Sequence, residues 1–169
     1  MIIVFTDALC TQCGLCCNGT LFADVELGHA EVVRLEAMGM DVDDADRNTG
    51  LLSQPCVALR GTRCSIYPHR PKCCRIFQCN LLQDAQQGAV TVERALEHIA
   101  DAQQQIERLR AMLGRMGNRD VDLPIKERCA ETLAADSGTP EQREELEAAM
   151  VALEKTIWNT FLGSGKRRE

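Results

Sequence analysis

The stretch Cys10-Thr11-Gln12-Cys13-Gly14-Leu15-Cys16-Cys17 sets four thiols within eight residues, and Cys56, Cys64, Cys73, Cys74 and Cys79 follow. Nine of the ten cysteines of this 169-residue chain thus lie in its first 79 residues. An ordinary apolar core has no use for that density of thiols. A Cys-x2-Cys pair is a short chelate, because a turn of that length aims both sulfurs at one ion. Here two such pairs overlap at Cys13, and Cys17 follows at once. A mononuclear zinc site usually takes one pair from each of two knuckles, so overlapping pairs lean toward a multi-iron cluster or a compact polynuclear site. Cys-x2-Cys-x2-Cys with a distant fourth cysteine is also the spacing of bacterial-type iron–sulfur ligation. Soft thiolates suit zinc as well, so both metals stay open, with the balance toward iron–sulfur.

Composition narrows what so many thiols can mean. The chain opens Met1-Ile2-Ile3-Val4-Phe5-Thr6-Asp7, without the basic and long apolar regions of a secretory signal, so a cytoplasmic protein is expected. There thiols are kept reduced, and disulfides are the weaker reading. No apolar stretch approaches the roughly 18 residues of a membrane span, so no membrane partner is expected. A formal charge of -6 argues against nucleic acid, whose binding neutralises phosphates with Lys and Arg. The tail Lys166-Arg167-Arg168 is read as a solvated end. From Arg60 to Arg75, however, the chain carries Arg60, Arg63, Arg70, Lys72 and Arg75 with no Asp or Glu. Four thiolates around a divalent ion leave a charge of about -2, which nearby cations offset while lowering thiol pKa values. The run therefore reads as a cationic surround for the sulfurs, or else as a solvated loop.

Residues 1–88 form the expected Cys-rich metal-binding domain, and residues 89–169, rich in Ala, Leu, Glu, Gln and Arg, a helical extension packed on it. The fold class is mostly α: a small irregular Cys-rich domain followed by a helical hairpin or bundle. One Trp, one Tyr and four Phe are few large side chains for a core, so metal bonds would make up thin apolar burial. Asp24-Val25-Glu26-Leu27 leads into a helical pattern with Val32, Val33 and Leu35 on its apolar side, ending near Gly39. Met40 to Leu52, with its Asp-rich run and Asn48-Thr49-Gly50, reads as a loop between the two cysteine groups. Thr91 caps a helix running to about Met116 and stopped by Gly117-Asn118. Along it Val92, Ile99, Ile106 and Leu113, with Ala95, Ala102, Leu109 and Met116, form a heptad seam. A short helix starts near Pro124. The last begins at Thr139-Pro140-Glu141-Gln142 and carries the stripe Leu146, Met150, Leu153, Ile157 and Phe161. An antiparallel hairpin is favoured over a coiled coil between chains, and these C-terminal helices are also the expected docking surface for any protein partner.

Ile66-Tyr67-Pro68-His69-Arg70-Pro71-Lys72-Cys73-Cys74-Arg75, together with the opening cysteine run and Cys56-x7-Cys64, carries a resemblance. Residues 10–80 resemble the CxxCxxCC cysteine-cluster family, the YkgJ-like zinc- or iron-chelating domain. The resemblance implies metal as the partner and Cys10, Cys13, Cys16, Cys17, Cys56, Cys64, Cys74 and Cys79 as ligands, in one cluster with spare thiols or in two four-sulfur sites. Cys73 falls where the family pattern is free and is the weaker candidate. Cys129, one turn after Ile125 on a helix, reads as a small buried residue, and His69 as exposed or as a neighbour of the site. His29 and His98 have no ligand partner at a telling spacing. Tyr67 should pack its ring and bond through its hydroxyl, with Pro68 and Pro71 stiffening the loop. Some flagellin lysine methylases are similar in carrying such a cluster, which makes a metal-containing methyltransferase-like enzyme the alternative, yet no Gly-rich loop, carboxylate pair or Ser-His-Asp set accompanies it. A thiol–disulfide role for Cys10 and Cys13 lacks the expected alternation of strands and helices.

Overall fold

The computed structural model describes residues 5–46 and 49–163, and the Lys166-Arg167-Arg168 tail lies outside them. In chain order the elements are a π-helical turn (Thr6–Cys10), α1 (Thr11–Cys13), β1 (Asp24–Gly28), α2 (His29–Ala37), β2 (Asp43–Asp46), β3 (Thr49–Ser53), β4 (Leu59–Arg60) and β5 (Arg63–Cys64). A 3-10 turn (Tyr67–His69), α3 (Lys72–Ile76), α4 (Asn80–Gln86), α5 (Val92–Arg115), α6 (Ile125–Ala134), α7 (Pro140–Ile157) and a π-helical turn (Trp158–Leu162) follow. The protein is mostly helical, with a Cys-rich N-terminal region followed by helices, which is the expected fold class. Among the described residues no helix is long and apolar enough to cross a membrane. The chain divides into two units, one made of Met1–Cys13, Gln78–Val121 and Ile125–Glu169, the other of Gly14–Phe77 and Asp122–Pro124.

In the first unit, hydrophobic periodicity dictates the packing. Helix α5 buries Ala95, Ile99, Ala102, Ile106, Leu109, Met112 and Leu113 along one face, with the seam's end residues Val92 and Met116 half-buried. Its start is capped by the Thr91 hydroxyl, which accepts the Arg94 N–H at 3.2 Å. Its end is closed by Gly117, whose φ of 89° belongs to the left-handed region, and by the Asn118 N–H donating to Leu113 O at 2.9 Å. Helix α7 starts as a capping box: Gln142 N–H donates to the Thr139 hydroxyl at 3.3 Å and Thr139 N–H to Gln142 Oε1 at 2.9 Å. Leu146, Leu153, Ile157 and Phe161 of its stripe are buried and Met150 is half-buried. Helices α5 and α7 pack as an antiparallel pair, joined by Gln105 to Thr156 at 3.0 Å and Arg108 to Glu145 at 3.0 Å. Asn118 then ties α5 to α6, donating to Thr132 Oγ1 at 3.0 Å and accepting from Arg128 Nε at 3.2 Å.

The second unit corrects the reading of Met40 to Leu52 as a loop. Strand β2 and all but the last residue of β3 lie within that segment, in an antiparallel sheet of order β1-β3-β2. Gly50, taken as turn punctuation, sits inside β3 opposite Leu27 and Asp44. A Cβ there would come within 2.7 Å of Val42 Cγ1 and 2.8 Å of Val32 Cγ2, so glycine serves close packing. Leu27, Val32, Leu35, Met40, Val42, Leu52 and Ala58 make the core of this unit, and Cys56, Cys64 and Ile66 pack against it. Val33, expected on the apolar side of α2, is 53% exposed. Val32 and Leu35 set the buried face, and the next residue along a helix is turned about 100° away from it.

Candidate metal centre

In the first unit, Cys10 ends the π-helical turn and Cys13 ends α1, both half-buried. The Gln103 side chain on α5 fixes that helical end by donating from Nε2 to the carbonyls of Gln12 at 2.8 Å and Cys13 at 3.0 Å. Cys79 is the N-cap of α4. Burial pushes its thiol up, while the amides of Leu82 and Leu81 act in the opposite sense. Cys129 is fully buried, and desolvation pushes it up to about 11, as suits a small core residue.

In the second unit, Gly14 turns the cysteine run. At φ 69° its carbonyl accepts the Cys17 and Asn18 amides, each at 3.0 Å, and a Cβ would come within 3.2 Å of Thr62 Cα. Leu15 anchors the turn at 0% exposure. The Cys17 carbonyl accepts the Cys56 N–H at 2.8 Å, which lays the two cysteine segments side by side. The β4–β5 hairpin places Cys64 opposite Leu59, and Ser65 N–H donates to Ala58 O at 2.8 Å, returning the chain toward Cys56. Buried Pro71 precedes α3, which presents Cys73 and Cys74.

Electrostatics show which thiols act on one another. Cys74 is pushed up to about 12 by burial and then by Cys73, Cys17 and Cys56, whose thiolates would repel its own. Cys56 is raised by burial and by Cys64, against the amides of Ala58 and Leu59 and the charge of Arg60. Cys74 thus feels Cys73, Cys17 and Cys56, and Cys56 feels Cys64, across segments remote in sequence. Cys16 is half-buried in the same unit. Among the described residues no group of three or more Cys, His, Asp or Glu side chains is placed so as to hold a metal ion. By its chemistry the donor set fits zinc or iron: it is all sulfur, and none of the ten cysteines is in a disulfide.

The basic run is mostly solvent-facing. Arg63, Lys72 and Arg75 are exposed, as is His69. Arg70 lies 3.5 Å over the half-buried Tyr67 ring and donates from Nε to Tyr67 O at 3.0 Å. Arg60 donates to the carbonyls of Val57 at 2.6 Å and Leu59 at 2.9 Å, and it lowers Cys56.

Sequence reasoning passed over Glu31. Its carboxylate accepts the Lys72 N–H at 2.6 Å and the Gly28 N–H at 3.2 Å. The Lys72 amide chiefly holds this carboxyl below the usual glutamate range, against burial and with help from Gly28, Arg34 and Arg75. Glu31 stands three residues after the Gly28 cap, a position that signals a local helix start, but its 41-residue reach to α3 has no local signature.

A thiol-rich, mostly helical protein whose cysteines sit on tight turns, a short hairpin and helix starts belongs among small metal-chelating domains. The chain matches the CxxCxxCC family, "Putative zinc- or iron-chelating domain", over residues 9–110, and it belongs to that family. No curated protein and no solved structure matches it.

Proposed function

We propose that the protein binds metal in a reducing, cytoplasmic setting through Cys10, Cys13, Cys16, Cys17, Cys56, Cys64, Cys74 and Cys79, as an iron–sulfur cluster. Zinc is the second reading, and the family's description names zinc and iron alike. In this proposal residues 1–88 are the chelating part, and residues 89–169 are a helical support and a docking face for a protein partner. The observation that supports the reading is the 2.8 Å bond from Cys56 N–H to Cys17 O, which lays two cysteine segments side by side in the unit that also holds Cys64 and Cys74. Uncharged, these thiols gain only weak contacts from proximity, and ionised they repel. When bound, the metal supplies the positive charge that makes the grouping cohesive and, as an iron–sulfur centre, one-electron exchange.

Because burial and mutual repulsion hold Cys74 and Cys56 protonated at neutral pH, metal uptake has to expel their protons. Apparent affinity for Zn2+ should therefore rise between about pH 6 and about pH 8, with proton release measurable by titration in weakly buffered solution. Uptake that releases no protons, or a pH-independent affinity, would count against thiolate ligation.

A further inference from the structure

We propose that Glu31 is the positioning residue of the thiol cluster: its two carboxylate oxygens tie the first amide of α3 to the β1–α2 corner and so set where Cys74 is presented. The inference rests on the reading of Cys74 as a metal ligand. Helix α3 has five residues, too few to hold itself without external contacts. Its first amides need acceptors, and Pro71, at the capping position, has no side-chain oxygen to offer. Glu31 Oε1 fills that role for Lys72 at 2.6 Å while Oε2 takes Gly28 at 3.2 Å, so one carboxylate serves two helix starts.

Two further contacts hold α3 in place. Cys73 Sγ donates to the Glu26 carbonyl of β1 at 3.4 Å, which turns that thiol toward the strand. The Cys74 thiol, hydrogen-bonded to the Cys73 side chain held there, also lies within electrostatic reach of Cys17 and Cys56. After α3, Phe77 meets Phe22 edge-to-face with ring centroids 4.9 Å apart. Of the three contacts, the Glu31 tie is the charge-assisted one and acts at the start of the helix, directly before the two cysteines.

The test uses the full chain, prepared without oxygen, and Co2+ as the probe. Glu31→Ala removes the acceptor. Lys72→Pro removes the amide while keeping a residue suited to the first helical position. Lys72→Ala removes only the side-chain charge. The expected result is that Glu31→Ala and Lys72→Pro each weaken Co2+ binding by about 10–100-fold and alter the thiolate-to-cobalt absorption, with the double variant no weaker than either single one. Lys72→Ala should behave as wild type, and the Lys72 amide should lose hydrogen-exchange protection in Glu31→Ala. Wild-type affinity and spectrum in Lys72→Pro, or an equal loss in Lys72→Ala, would overturn the proposal even if Glu31→Ala does not fold. Cys74→Ser separates the two levels: wild-type Co2+ binding there defeats the ligand reading itself, whereas lost binding there with unchanged Glu31→Ala and Lys72→Pro defeats only the role of Glu31.

Discussion

Helix α5 buries seven side chains along a single face between Val92 and Arg115, whereas the described residues of the whole stretch 14–77 bury eight core hydrophobics, Leu15 and the seven of the sheet core. The helical unit therefore gains its stability from dense, periodic apolar contact. The cysteine-bearing unit spreads its core over two strands of the sheet, α2 and the connecting turns, so metal–sulfur bonds have more to contribute there. Its cysteines take the ends and turns of these elements, where a backbone bend can aim sulfur without a long side chain.

The sharpest way to break this contrast is to remove a thiol from each unit. Cys74→Ser should abolish most metal binding and unfold residues 14–77, whereas Cys129→Ser, which removes a thiol from the helical unit, should leave metal content at the wild-type level. Elemental analysis beside circular dichroism reads both, and equal metal retention in the two variants would erase the distinction. Next in size, Leu109→Ala should destabilise the helical unit by about 2–5 kcal/mol through the cavity it leaves. That loss should be the same in metal-loaded and metal-free protein by denaturant unfolding; a loss present only with metal would mean the two regions are not stabilised separately. Smaller again, Gly50→Ala should cost about 1–3 kcal/mol, because Val32 and Val42 have to shift to admit the methyl. A thermal midpoint unchanged from wild type would show that the β3 backbone does not need its close approach.

The two regions also differed in how far the sequence disclosed them. Around Thr91, Thr139 and the α5 seam, each local preference agrees with the tertiary structure, so caps, ends and buried face were all readable. At Gly50 they conflict. Asp-rich and Asn-Thr-Gly chemistry speaks for a turn, and only pairing with β1, distant in sequence, makes the segment a strand. Val33 differs for a related reason, since adjacent helix residues lie about 100° apart and only the sheet packed on α2 decides which valine is buried. For the thiols, spacing pointed to a chelate, but the adjacency of Cys17 to Cys56 depends on a backbone hydrogen bond between segments 39 residues apart. Glu31 was silent because its partner is a backbone amide, which no residue type announces.

The most direct test of thiolate chelation is a combined determination of iron, zinc and acid-labile sulfide on full-length protein purified without oxygen. Iron and sulfide in stoichiometric amounts, with thiols that react fully only after the metal is stripped, is the expected outcome. Metal-free protein, with every cysteine reactive in the native state after incubation with iron, sulfide and zinc, would contradict it.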